Sequence, residues 1–129
     1  MRIIVKDFLD SEGKIRTELL DGEAMKIAEE LSKAKLSTHQ VRKFFDEVKN
    51  YKARIEKGDD FEKIMPLIVM LKSKAKYAAS RKKEMNVFRD FLYKSIDKIK
   101  EDDGKDKKDK FNAFCLFFEA VYGFANLKK

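Results

Sequence analysis

The spacing of apolar residues along the chain predicts helices almost throughout. In five segments apolar side chains recur three and four positions apart, which places them on one face of an α-helix. These segments lie, in order, at about 22–33 behind a capping Asp21, between Ser37 and Gly58, from Asp59 or Asp60 onward, at about 84–100 and at about 107–127. We therefore predict an all-α fold, a compact bundle of about five helices that occupies residues 20–129.

The start of the second helix carries the clearest local signal. Ser37 can accept a hydrogen bond from the amide of Gln40 while the Gln40 side chain reaches back, as in a capping box. Leu36 and Val41 stand at the two positions of a hydrophobic staple. This pattern predicts a helix that begins after Ser37, ends at Gly58 and buries Val41, Phe44, Phe45, Val48, Tyr51 and Ile55.

The last three helices differ in how their apolar residues are arranged. Pro66 lies inside the third pattern and is expected to kink or restart the backbone. The third helix has one apolar face, formed by Ile64, Leu67, Ile68, Leu71, Ala75, Ala78 and Ala79; the fourth buries Val87, Phe91, Ile96 and Ile99 less regularly. The last helix has aromatic residues on nearly every side, so we predict that it is central or also meets another subunit.

Two segments lack this periodicity. Residues 1–19 alternate only loosely around the turn-forming residues Asp10 to Gly13, which leaves a short hairpin and a tethered arm as alternatives. Residues 101–110 consist mainly of charged residues and glycine, which predicts a solvated loop or a disordered hinge.

Composition argues against catalysis and against a membrane protein. No apolar run approaches the ~20 residues of a membrane span, and the N-terminus lacks a signal-peptide pattern. Cys115 is the single cysteine, so an internal disulfide and a multi-cysteine metal site are excluded, and His39 is the single histidine. We predict a cytoplasmic protein that is not an enzyme and that uses no metal or other cofactor.

The net charge of +7 is concentrated in the middle of the chain. Residues 31–57 carry eight basic and three acidic side chains, and residues 58–83 carry seven and three. Between Leu67 and Lys83 there are six basic residues and no acidic one. Because a solvated helical face normally mixes both signs, this segregation indicates a polyanionic partner.

Helical geometry places several of these cations beside the apolar faces. Lys72, Lys76 and Lys83 fall on one edge of the third helix, Lys74 and Arg81 on the opposite edge, and Arg42 and Lys49 on one edge of the second helix. We interpret these edges as surfaces that track phosphates, with Tyr51 and Tyr77 as less favoured candidates for base stacking. Four other lysines, interleaved with aspartates, are interpreted as solubilising only: Lys105, Lys107, Lys108 and Lys110.

Two blocks of sequence resemble a known family. Residues 35–45 read Lys-Leu-Ser-Thr-His-Gln-Val-Arg-Lys-Phe-Phe, and Met65-Pro66-Leu67 runs into a basic stretch that ends at Arg81. Both blocks resemble the small helical subunit of type III-A CRISPR interference complexes, the Csm-type effectors. The resemblance covers roughly residues 20–127; His39 departs from it, since a small polar residue is expected there.

The resemblance implies a structural subunit that acts in antiviral defence in the prokaryotic cytoplasm. Copies of that subunit associate along the complex, beside the other subunits and the groove that holds the crRNA and its target RNA, and cleavage belongs to other subunits. Carried onto matching positions, the implied RNA contacts are Lys35, Arg42, Lys43, Lys72, Lys74, Lys76 and Arg81, to which the helix geometry adds Lys49.

Two alternatives come from other classes of protein. A basic helical DNA-binding protein would need a cluster of Arg, Asn and Gln for base edges, but Gln40 is the only glutamine and the arginines are scattered. A pure protein-interaction adaptor would explain the aromatic last helix but not the acid-free basic stretch.

Overall fold

The computed structural model describes residues 3–129, and within them it confirms an all-α fold without a strand. The five helices are α1 (Gly22–Lys33), α2 (Thr38–Glu56), α3 (Phe61–Arg81), α4 (Asn86–Lys100) and α5 (Lys107–Phe124). Single 3₁₀ turns, Thr17–Leu20 and Lys83–Met85, precede α1 and α4. The helix count and most boundaries agree with the apolar spacing; α5 ends three residues before the predicted end.

The predicted capping box fixes the start of α2. The Ser37 hydroxyl accepts from the Gln40 amide at 3.1 Å, and the Gln40 side chain accepts from the Ser37 amide at 2.9 Å. Leu36 and Val41 are both fully buried, as a hydrophobic staple requires. Gly58 follows the last turn with a φ of 111°, a conformation in which other residues are strained.

Asp21 does not cap α1 as predicted. Its side chain makes no capping hydrogen bond, because the preceding 3₁₀ turn leaves its backbone at φ −116° and ψ −104° rather than in the extended conformation of a capping residue. Asp60, in contrast, is extended and accepts from the Glu62 amide at 3.1 Å, which fixes the start of α3.

Helix α3 runs through Pro66, so the predicted restart of the backbone is wrong. Proline has no backbone N–H, so the carbonyl four residues before Pro66 lacks its helical hydrogen bond. Because Pro66 is exposed, water can donate to that carbonyl instead. The buried stripe of α3 is also narrower than predicted, since Leu67 is 36% exposed. Phe45 of α2 is likewise only half-buried, because it lies at the edge of the apolar face.

Helix α5 is the central helix that its aromatic composition predicted. Phe114, Phe117 and Phe118 are fully buried. Their rings pack on Phe91 of α4, with centroid separations of 5.5 to 6.3 Å, and Phe118 also meets Phe45 of α2 edge-on at 5.3 Å. The core therefore forms around α5, with α1, α2 and α4 packed on it.

The N-terminal segment combines the two predicted alternatives. A turn at Asp10–Gly13 brings Leu9 and Ile15 into a single antiparallel bridge, as in a minimal hairpin. The segment is also tethered, because Phe8 is buried against Phe114 and Phe117. Met1 and Arg2 lie outside the described residues, and the division of the chain at residue 19 stays a prediction.

The charged loop before α5 contains a buried lysine, which corrects the interpretation of Lys110 as a solubilising residue. Lys110 is 3% exposed, and its Nζ donates to the Glu101 carbonyl oxygen at 2.7 Å and to Asp103 Oδ1 at 2.9 Å. These bonds hold residues 101–103 against the first turn of α5. Local sequence does not distinguish Lys110 from its neighbours Lys105, Lys107 and Lys108, which are more exposed.

Replacing Phe118 by alanine should lower the free energy of unfolding by about 3–5 kcal/mol, because the ring is fully buried among other aromatic rings. The control is Phe124→Ala on the same helix, where the side chain is 48% exposed and the change should be within about 0.5 kcal/mol. Chemical denaturation measures both. Equal effects would mean that α5 is not the central helix.

The Asp103–Lys110 pair should make stability depend on pH. The hydrogen bond from Lys110, followed by the one from the Lys105 amide, lowers the pKa of Asp103 to about 2. Because the pKa of Asp103 is lower in the folded state, the pair contributes to the free energy of unfolding in full above about pH 4, the ordinary carboxyl pKa. This contribution is lost as the pH falls toward 2. The difference in free energy of unfolding between wild type and Asp103→Asn should therefore shrink over that range. A pH-independent difference would contradict the pairing.

Candidate nucleic-acid interface

Helix α3 lies between α2 and α4, so its two basic edges face different neighbours. On one edge, Lys74 Nζ lies 2.5 Å from Glu47 Oε2 of α2. On the other, Lys72 Nζ lies 2.7 Å from Asp97 Oδ1 of α4 and 5.0 Å from the centroid of the Tyr93 ring. The Lys74 edge and the Lys72 edge therefore lie on opposite sides of α3, as helical spacing predicts.

A groove runs between α2 and α3. Its first part is a cavity of about 350 Å³ lined by Lys43, Phe44, Glu47, Ser73, Lys74, Tyr77 and Ala78. Its second part, of about 180 Å³, extends toward the end of α3 and is lined by Gln40, Lys43, Tyr77, Ala78, Arg81, Lys82 and Met85. Because both parts share Lys43, Tyr77 and Ala78, they form one continuous surface, which we call the α2–α3 groove.

Glu47 sets the electrostatics of the first part. Burial alone would raise the pKa of this half-buried carboxyl, but hydrogen bonds from Lys74 and from the Tyr51 hydroxyl (2.5 Å) lower it below its ordinary value. Glu47 is therefore ionised at neutral pH and offsets the charge of Lys74. Tyr51 is itself buried, so it cannot stack on a base as the sequence had allowed.

The second part of the groove is richer in cations. Arg81 lies over the Tyr77 ring at 4.9 Å, and Lys43 and Lys82 line the same cavity. One acid is close by: Glu84 accepts a hydrogen bond from the Gln40 side chain at 3.1 Å. Tyr77, which also lines this part of the groove, is 61% exposed.

Three of the eight predicted contact residues meet in this groove: Lys43, Lys74 and Arg81. Lys82 also lines the groove but is absent from the predicted contact residues, although it belongs to the acid-free stretch. Tyr77 lines both parts of the groove, and its exposure cannot be read from helical spacing alone.

The other five predicted residues lie elsewhere. Arg42, 3.7 Å from Asp46, and Lys49, over the Phe45 ring at 5.4 Å, occupy the opposite edge of α2, beside α5. Lys72 and Lys76 share the α4 side of α3, where Lys76 is exposed. Lys35 is exposed in the turn between α1 and α2, at a φ of 62°.

Comparison with known proteins identifies the family. A family model described as Csm2 Type III-A matches residues 14–127 of the 129-residue chain. The chain belongs to this family. No curated protein matches it, and no solved structure does.

Membership of the Csm2 family confirms the resemblance predicted from the two sequence blocks. It makes the chain a small subunit of a type III-A CRISPR complex, which associates with other Csm subunits. The family match begins at residue 14, within the N-terminal segment, whereas the resemblance began near residue 20. None of the described helices is long and apolar enough to cross a membrane.

This Csm2-family chain has one histidine and one cysteine. Within residues 3–129 no group of three or more His, Cys, Asp or Glu side chains could hold a metal ion. His39 is exposed on the first turn of α2, and Cys115 is buried in α5. Burial raises the pKa of the Cys115 thiol to about 12, so that it is not a nucleophile at neutral pH.

Cys115 should therefore resist thiol reagents while the protein is folded. Because the thiol is both buried and protonated, we expect reaction with a disulfide reagent at pH 8 to be slow in buffer and rapid in guanidinium chloride. Absorbance of the released thiolate measures both rates. A native rate close to the denatured rate would show that Cys115 is accessible and that the packing of α5 is wrong.

Proposed function

We propose that this Csm2-family subunit binds the sugar–phosphate backbone of the crRNA–target RNA duplex and does so without catalysing a reaction. The observation that carries the proposal is the α2–α3 groove, where Lys43, Arg81 and Lys82 converge beside Lys74. The groove brings Lys43 of α2 close to Lys74 and Arg81 of α3 and to Lys82, which follows α3. Clustered cations of this kind attract phosphates by releasing condensed counterions.

The same groove has little capacity to read base sequence. Base recognition in a duplex uses bidentate side chains such as Asn, Gln and Arg. The amide of Gln40 is already engaged, since its oxygen accepts from the Ser37 amide and its nitrogen donates to Glu84. Sequence-independent binding suits a complex in which pairing between the two RNAs supplies the specificity. This argues against the alternative of a DNA-binding protein that reads sequence.

The predicted residues outside the groove contribute to the proposal unequally. Lys76 and Lys35 are exposed, and we keep them as additional phosphate contacts. Arg42 and Lys49 form a second small surface on the other edge of α2. Lys72 is the weakest candidate, because Asp97 and the Tyr93 ring already engage its ammonium group. Association of several copies along the complex, in the prokaryotic cytoplasm, stays a prediction from the family.

Reversing two groove charges should weaken RNA binding strongly. In the double variant Lys43→Glu, Arg81→Glu, repulsion replaces attraction at exposed positions that do not build the core. We expect at least a tenfold loss of affinity for a guide–target RNA duplex, with an unchanged circular dichroism spectrum. Fluorescence anisotropy at several salt concentrations gives the affinity. Each lost phosphate contact should also lower the log–log salt slope by ~0.7–0.9.

The matched control is Lys107→Glu, Lys108→Glu, which changes the net charge by the same amount. These lysines occupy the first two positions of α5, where glutamate is favourable for the helix dipole, so the fold should tolerate the change. An equal loss of affinity in the control would show that the electrostatic attraction is diffuse, and it would contradict the assignment of the RNA contacts to the groove. A wild-type protein with no salt-dependent RNA binding would contradict the proposed function itself.

A further inference from the structure

Tyr77 is the feature of the α2–α3 groove that phosphate binding does not explain. Backbone binding needs cations, yet an aromatic ring that is 61% exposed lies between them and lines both parts of the groove. Ser73 and Ala78 are its small neighbours in the groove lining, and Arg81 lies over one face of the ring. Tyr51, one of the other tyrosines, is buried, and Tyr93 and Tyr122 are half-buried.

The surroundings of Tyr77 have the chemistry of a nucleotide site. An aromatic face stacks on any base, and an arginine over the opposite face adds a cation–π contribution. Arg81 lies over one face of the Tyr77 ring, with its guanidinium carbon 4.9 Å from the ring centroid, so a base would stack on the other face. The cavity of about 350 Å³ falls at the small end of the ~300–1,000 Å³ that single-ligand sites span, so it suits one nucleotide and not the width of a duplex.

The charges give such a nucleotide an orientation. At one end of the groove the Glu47 carboxylate neutralises Lys74, and an incoming phosphate would be repelled by that carboxylate. At the other end Lys43, Arg81 and Lys82 line the surface, and Glu84 is held by the Gln40 amide. A phosphate is therefore favoured at the Arg81 end.

We propose that the α2–α3 groove binds one unpaired RNA nucleotide, with its base stacked on Tyr77 and its phosphate between Lys43 and Arg81. This inference rests on the proposed function and deepens it, because it names the RNA feature that the groove selects. A base inside a regular duplex is stacked on its neighbours and cannot reach Tyr77. A bulged, flipped or single-stranded nucleotide can.

The test compares three RNA duplexes of one length: fully paired, with a single unpaired nucleotide, and with an abasic residue at that position. We expect the wild-type protein to bind the second about tenfold more tightly than the other two, within the range that stacking of one base supplies. Tyr77→Phe should keep this preference and Tyr77→Leu should abolish it. Tyr93→Leu is the matched control, since Tyr93 also pairs with a cation, Lys72, but lies on the other side of α3.

The result separates this inference from the proposed function. If Tyr77→Leu loses the preference for the unpaired nucleotide but keeps the salt slope of duplex binding, both stand. If wild type binds all three RNAs equally and Tyr77→Leu changes nothing, the nucleotide site is wrong while backbone binding survives. If Tyr93→Leu has the same effect as Tyr77→Leu with an intact helical spectrum, the site is not at the groove, and the inference is overturned.

Discussion

The structure depends on burying the aromatic face of α5. Seven of its eighteen residues are phenylalanine, tyrosine or valine; five of these are fully buried, Tyr122 is half-buried and only Phe124, at the end of the helix, is exposed. So many apolar groups on one helix can be removed from water only if several elements surround it. Helices α1, α2 and α4 and the N-terminal segment supply that cover, and α3 then packs on the outer side of α2 and α4.

The outer position of α3 connects the core with the proposed function. A helix that contacts two neighbours with a narrow apolar stripe leaves most of its circumference to solvent, and the acid-free basic residues occupy that circumference. The α2 side forms a groove whose lining includes the small residues Ser73 and Ala78. On the α4 side the ammonium group of Lys72 is engaged by Asp97 and Tyr93. The same helix therefore presents a groove suited to an anionic ligand on its α2 side, whereas on its α4 side Lys72 is neutralised within the protein and Lys76 is exposed.

The sequence predicted the elements well and the site only in part. Helices, the capping box and the central position of α5 follow from local spacing, which depends on residues near one another in the chain. Whether a lysine is free depends on partners that are distant in sequence: Glu47 lies 27 positions from Lys74, and Asp97 lies 25 positions from Lys72. Helical geometry alone does not identify those partners. From the sequence, Lys72 and Lys74 therefore could not be distinguished from Lys43 as available phosphate contacts. For the same reason Lys110 could not be recognised as buried.

In the proposed function, RNA contacts concentrate in the α2–α3 groove. The most direct measurement is a titration of the ¹⁵N-labelled protein with guide–target RNA duplex, followed by amide chemical shifts at low and moderate salt. We expect the largest shifts to fall on residues 40–47 and 73–85 and to diminish together as salt rises. Shifts spread evenly over all basic segments, or centred on α1 or on the loop at 101–106, would contradict it.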